Sequence, residues 1–399
     1  MAFNFVFDRE ENGRPYPNLA PSMDASNGYH GMGDTYPWII PCRLIYYCHD
    51  HNYPIGISYI DQPIPTNSYY PVGIGWFDFS IDYFALMSDQ VRELLKEHQL
   101  RVLFYYHEGD NPAHEKARLD SLCAEHNLPT NCYVFVSGNT ACRQLNNFVY
   151  FPDHELFYWR NGVVWNDQPQ PGCLAHANPR SKQFTMLSRI HKWPRATIVS
   201  YFHKQGLLDR SYWSYNTVDI NDQFADNPIR IHDFPGLEEY AREFLAHAPY
   251  ACDTLTAEEH NSHWVLDRKL FEDSYCNLVL ETFFDADGSG GAFISEKTFK
   301  AIRHAQPFVI FGTANTLTTL KELGYRTYDD YIDNAYDKEL DNTERFVRLI
   351  STVNKLSKID LHTWYVNLID DIEYNQQLFC SSTAKYARLD QLATDLNAI

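Results

Sequence analysis

The stretch YCNLVLETFFDADGSGGAFISEKTFKAIRHAQPFVIFG, residues 275–312, reads as strand, loop, helix, strand. YCNLVLETFF has the branched and aromatic makeup of a strand, and its near-continuous apolar character fits one covered on both faces. Ser295 stands at the head of SEKTFKAIRHA (295–305) as an N-cap, and QPFVIFG (306–312) is a second short apolar run. TANTLTTLKELG (313–324) follows as a helix that Gly324 can close. Strands separated by crossover helices build a parallel sheet with helices on its faces.

The same alternation extends outward. KQFTMLSR (182–189) is a strand, and WPRATIVSYFHKQGLL (193–208) is a helix with Pro194 in its first turn. A loop is expected over 211–236, then a helix around LEEYAREFLAHA (237–248), and the chain beyond about 345 is helical. In the first half, FALMSDQVRELLKEHQ (84–99) is helical, RVLFYYHEGD (101–110) is a strand ending in polar residues, and AHEKARLDSLCAEHNL (113–128) is helical. NCYVFVSGN (131–139) is the next strand, followed by a short helix at 140–148. Residues 1–75 are rich in Pro, Gly, Asn and Tyr and predict an irregular region wrapped on the first lobe, with CRLIYYC (42–48) as a short strand. The polar, Pro-rich stretch 166–182 is the expected linker. The prediction is therefore an α/β chain with two Rossmann-like domains facing a central cleft: 1–75 packed on a first lobe of 76–181, then a second lobe of 182–399 closed by C-terminal helices.

Composition narrows the function classes. Of 399 residues, 33 are Lys or Arg and 52 are Asp or Glu, a net charge of -19 that repels a phosphate backbone and makes general nucleic-acid binding unlikely. With 44% apolar residues the chain has material for sizeable cores, and no apolar stretch is long enough for a membrane span. Acid is reached at Asp8, before a signal peptide could form. Nine cysteines, an odd number without CxxC spacing, predict reduced thiols in the cytoplasm or another reducing intracellular compartment.

Residues 275–330 resemble the donor-binding half of two-domain GT-B glycosyltransferases, most of all the fucosyltransferase-like nucleotide-sugar enzymes. Glu281 and Thr282 stand where that group has a Glu-Asn pair at a strand end. Phe293, Ile294, Ser295, Glu296 and Lys297 correspond to its Tyr-x-Thr-Glu-Lys motif, with Pro307 and Gly312 in the following strand. The resemblance implies a nucleotide-sugar donor on the second lobe and a basic residue on that lobe's first strand against the diphosphate, for which Arg189 is the first choice. Local chemistry agrees: a helix start supplies free N–H groups to a diphosphate, a carboxylate accepts from ribose hydroxyls, and cations offset phosphate charge. The expected donor set is Arg189, His191, Arg195, Glu281, Ser295, Glu296, Lys297 and Lys300. Arg189, His191, Lys192 and Arg195 are a dense basic group in so acidic a chain. The plainer reading is that Ser295 and Glu296 only cap a helix and that the cations are solvated.

For the acceptor side, His107, Glu108 and Asp110 lie at a predicted strand end, where transfer to a hydroxyl needs a general base. Asp78 and Asp82 are alternatives. DADGSGGAFISE (285–296) also fits a twelve-residue EF-hand loop, and Asp285 with Asp287 mimics a metal-binding DxD, but the preceding segment has the makeup of a strand rather than a helix. His260 and His263 have ligand spacing without a third ligand. The expected activity is metal-independent transfer of a sugar from a nucleotide sugar to a hydroxyl acceptor, with no cofactor. A non-catalytic carbohydrate-binding protein and a nucleic-acid-modifying transferase are the alternatives.

Overall fold

Strand β12 (Ser274–Leu280) is buried along its whole length, as its uninterrupted apolar run requires. It lies between β10 (Lys182–Ile190) and β13 (Phe308–Phe311), and β10 pairs in turn with β11 (Tyr212–Val218). All three pairings are parallel, in the order β11-β10-β12-β13. The computed structural model describes residues 3–11, 14–15, 18–19, 39–40, 42–164, 178–218, 227–252, 267–285 and 289–399. These form two units: 1–156 with 289–291 and 382–399, and 157–288 with 292–381. Each is a Rossmann-like α/β unit with its own parallel sheet and helices.

The unit 1 sheet runs β5-β1-β6-β7-β8-β9 and is parallel throughout that path: β1 (Phe3–Phe7), β5 (Ile55–Tyr59), β6 (Ser68–Ile74), β7 (Arg101–Tyr106), β8 (Tyr133–Ser137) and β9 (Phe148–Tyr150). A two-residue strand, Ile39–Ile40, adds antiparallel to the end of β6. Residues 1–75 are thus not an irregular wrap: they supply β1, β5 and β6 to the sheet itself. Pro71 hides β6 in the sequence, because proline lacks the N–H a central strand normally uses. On that side of β6, β1 registers with Ser68 and Tyr69 and the Ile39–Ile40 strand with Gly73 and Ile74, so Pro71 falls in the gap between them.

CRLIYYC is a helix rather than a strand: α1 (Arg43–Asp50) buries Leu44, Tyr47 and Cys48, spaced three and four apart on one face. The loop expected over 211–236 begins with β11, whose Tyr215 is fully buried. Helix α2 (Pro112–Glu125) follows β7, α3 (Asp153–Val164) follows β9 and α4 (Trp193–Lys204) follows β10. The division between units falls within α3, at Leu156/Phe157, upstream of the expected boundary at 181/182. Residues 165–177, most of the expected linker, lie outside the described residues.

The second lobe was expected to keep all the C-terminal helices, yet the last, α5 (Ser382–Ala398), belongs to unit 1. Glu155 explains why. Its two oxygens meet Lys385 Nζ at 2.7 Å and Arg388 Nε at 3.1 Å, with Lys385 and Glu155 fully buried. The Tyr69 hydroxyl donates to Leu396 O at 3.0 Å and the Tyr53 hydroxyl to Asp390 at 3.0 Å. Ser289–Gly291 also belong to unit 1. Asn139 Nδ2 donates to the Ser289 carbonyl, and a side chain at Gly291 would stand 2.7 Å from the Ala141 nitrogen, so only glycine fits.

Candidate functional site

In unit 2 the chain leaves β10 for β11 on one side and later enters β12 on the other. The C-terminal ends of β10 and β12 therefore border a topological switch point, the place where open α/β sheets take ligands. Arg195, on the first turn of α4, ties the two ends together. Its guanidinium donates to Glu281 O at 2.8 and 3.2 Å and to Ile190 O at 3.1 Å, and it is 5% exposed.

Glu281, the residue after β12, turns its carboxylate inward. It accepts from Ser295 Oγ at 2.5 Å, Thr298 Oγ1 at 2.6 Å, Thr282 N at 3.1 Å and Ser295 N at 3.3 Å. Glu281 and Ser295 are both buried, and Ser295 Oγ caps α6 (Glu296–Arg303) by accepting from Lys297 N. Gly312 packs closely on the same carboxylate's stem: a Cβ there would come within 3.3 Å of Glu281 Cβ, so Glu281 would have to give by a few tenths of an ångström. Arg195, Glu281 and Ser295 thus contact one another's backbone and side chains and act as scaffolding. His191 is likewise buried, its Nδ1 2.7 Å from the Tyr215 hydroxyl.

The partly exposed members of the expected donor set are cations. Arg189 sits where the β10–β11 register slips between Ser188 and Ile190, an irregularity of the kind that re-aims a side chain. Lys297 Nζ lies 3.1 Å from Glu296 Oε1, 3.1 Å from Ser295 Oγ and 3.2 Å from Thr282 Oγ1, and Glu296 is mostly buried. Burial pushes the Lys300 amine down to about 8; Glu296 pulls the other way, and the charges of Lys297 and Arg189 add to the depression. Lys297 and Lys300 stand three residues apart on α6, and the Arg189 charge also reaches Lys300. The α4 N-terminus, which follows β10 directly, has no side-chain cap and no acidic residue in its first turn, while Lys192 lies over the Phe283 ring at 4.7 Å. Together these groups are suited to an anion.

In unit 1 the corresponding edge is acidic and phenolic. His107 is buried, with Nδ1 3.2 Å from Ile74 O and Nε2 3.4 Å from Glu108 Oε1. Burial, then the Arg43 charge, push its pKa down against the pull of Glu108, so its imidazole is neutral. Asp110 accepts from the Tyr106 hydroxyl. Asp78 holds Ser80 N at 2.8 Å, and Asp82 pairs with His126 Nε2 at 2.8 Å. Glu108 is the half-exposed carboxylate beside His107.

Two features here escaped sequence reasoning. Asp153 accepts from Tyr105 and Tyr47 hydroxyls at 2.7 and 2.8 Å and from Arg43 at 3.3 Å, a buried cluster drawn from α1, β7 and α3. No local spacing signals it, since Tyr105, Tyr47 and Arg43 lie 48, 106 and 110 residues from Asp153. Glu115, in α2, is 2% exposed with Oε2 lacking a hydrogen bond, and burial raises its pKa to about 8, with Asp110 adding to the rise.

The EF-hand reading fails on its first requirement, because the segment before Asp285 is a strand. Asp285 accepts from Asn342 Nδ2 at 3.1 Å, whereas Asp287, His260 and His263 lie outside the described residues. Among the described residues no cluster of three or more His, Cys, Asp or Glu side chains is placed to hold a metal, and no helix is long and apolar enough to cross a membrane. No protein-family model matches the chain, and no match is found among curated proteins or solved structures.

Proposed function

We propose that this chain is a glycosyltransferase that takes a nucleotide-activated sugar on unit 2 and transfers the sugar to a hydroxyl acceptor. The observation that carries the reading is the cationic switch point: Arg189 and Lys192 at the uncapped helix start after β10, and Lys297 and Lys300 on the helix that leads from β12 to β13, in a chain of net charge -19. A diphosphate is both the anion such a group suits and the leaving group that nucleotide-sugar chemistry must stabilise. In this reading Arg195, Glu281 and Ser295 fix the geometry, and Arg189, Lys297 and Lys300 meet the phosphates. The ribose role falls to Glu296, a residue of the first turn of α6. The cations supply the charge stabilisation a divalent metal supplies elsewhere, so turnover should survive a chelator.

On unit 1, Glu108 is the proposed general base. It is partly exposed, and neutral His107 beside it adds a second proton acceptor, while Asp110 is already engaged by Tyr106. The deciding experiment is calorimetric titration of the full chain with UDP, GDP, ADP and CDP. Saturable binding of at least one, weakened by Arg189→Ala, is expected; no heat with any of them at millimolar concentration defeats the proposal.

A further inference from the structure

Trp76 and Phe79 are 53% and 51% exposed, a large apolar area to leave in water. Both follow β6 at the C-terminal edge of the unit 1 sheet. The register pairs Ile74 with Tyr106, so Gly75–Trp76 and His107–Glu108 leave the sheet from adjacent strands, and the contact of His107 Nδ1 with Ile74 O holds those exits together.

The turn carrying the aromatic residues is ordered. The Phe79 ring meets buried Phe77 edge-on at 5.1 Å, and its carbonyl accepts from Arg118 Nε at 3.0 Å. Asp78 Oδ1 accepts from both Ser80 N and Ser80 Oγ, at 2.8 and 2.6 Å. Rigid aromatic surface binds at low entropic cost.

The surrounding charge selects the occupant. Segments 75–82 and 107–111 carry Asp78, Asp82, Glu108 and Asp110 and contain no Lys or Arg, and His107 is neutral. Arg118, which approaches Phe79 from α2, is paired with Glu125 at 3.3 Å, and Arg43, whose charge reaches His107 and Glu108, is paired with buried Asp153 at 3.3 Å. Such a surface repels phosphate, sulfate and carboxylate groups and offers acceptors to hydroxyls. A ligand with an apolar ring face, several hydroxyl donors and no charge is a neutral sugar.

We propose that Trp76, Phe79 and Glu108 form a binding site for a neutral sugar ring, the ring face on the aromatic side chains and a hydroxyl on Glu108. Its role as the acceptor site rests on the glycosyltransferase reading; the binding itself does not. The test is saturation-transfer NMR and tryptophan fluorescence on the full chain with lactose, chitobiose, maltotriose, cellotriose and lactose 3′-sulfate.

At least one neutral saccharide should bind, and more tightly than the sulfated sugar. Trp76→Ala should weaken it about tenfold or more and Phe79→Ala by a smaller factor, whereas Trp76→Phe should retain most of it. Melting temperature and nucleoside-diphosphate titration should not change in these variants. The proposal is overturned if no neutral sugar binds at millimolar concentration, if Trp76→Ala binds normally, or if the sulfated sugar binds best. It is also overturned if Trp76→Ala merely turns a dimer into a monomer, which would make the patch a contact between copies. Failure of the nucleotide titration alone would remove the transferase reading and leave a sugar-binding protein.

Discussion

Each unit buries a carboxylate beside the C-terminal edge of its sheet and saturates it, Asp153 with two tyrosines and Arg43, Glu281 with a serine, two threonine residues and a helix start. Outside these clusters the two edges diverge. Unit 2 sets cations about Lys300, whose amine is depressed first by burial and further by Lys297 and Arg189, while unit 1 sets carboxylates beside a neutral histidine and exposed aromatic rings. The same strand-helix scaffold can thus fix its loops with one inward carboxylate while the outward residues choose the sign of the ligand.

Cutting the inward carboxylates should separate the units most strongly. Asp153→Ala leaves Arg43 and two buried hydroxyls without their acceptor and should cost about 3–5 kcal/mol in denaturant unfolding, with nucleoside-diphosphate affinity measured on the folded fraction unchanged. Glu281→Ala should cost less, about 1.5–3 kcal/mol, but should weaken nucleotide binding because the start of α6 loses its anchor. Equal effects of both variants on nucleotide binding would erase the distinction between the two edges.

The outward cations give the next effect. Arg189→Ala and Lys300→Met should each raise the nucleoside-diphosphate dissociation constant about tenfold, Arg189→Ala with little change in unfolding free energy, and the affinity should fall with added salt. If Glu296 holds the ribose, Glu296→Gln should weaken binding by a comparable factor; if it serves only Lys297, affinity should stay near wild type.

Proton uptake tests Lys300 more finely. Free Lys300 titrates near 8 rather than its ordinary 10.5. A bound diphosphate should raise that value, so binding near pH 8.5 should take up a proton, visible as a dependence of the calorimetric enthalpy on buffer ionisation heat. Lys300→Met should abolish the part of that uptake due to the lysine.

The smallest effects concern stability against pH, and they run in opposite directions in the two units. Glu115 titrates near 8 in the folded chain and near 4.5 unfolded, so its contribution is full below about pH 4.5 and is lost as pH rises through 8. Lys300 is depressed on folding, so between about pH 8 and 10.5 the unfolded chain holds the extra proton and stability rises with pH. Melting curves of Glu115→Gln should gain on wild type from pH 5 to 8, and those of Lys300→Met should lose their advantage above pH 8. A Glu115→Gln variant that tracks wild type across that range would show that this carboxyl is not held protonated.

The β12–α6–β13 unit was legible in the sequence because each of its signals is local: an apolar run, a cap at Ser295, a second short apolar run at 306–312. The cations around Arg189 and Lys297 were legible for the same reason, since a dense basic group stands out in an acidic chain. Less was legible in residues 1–75, where Pro71 masked a central strand and the helical spacing of Leu44, Tyr47 and Cys48 was hidden among aromatic residues with strand propensity.

Sequence alone determined the α/β class, the parallel-strand grammar and the charge that discourages nucleic acid, all properties that follow from composition or from residues within a few positions of one another. Tertiary structure alone decided that Glu281, Ser295 and Arg195 spend their polar atoms on each other, that Asp153 collects partners from three elements, and that α5 returns to unit 1 through Glu155. Whether a side chain meets a ligand or its own scaffold depends on long-range pairings set by strand order and register, and no short window of sequence contains them.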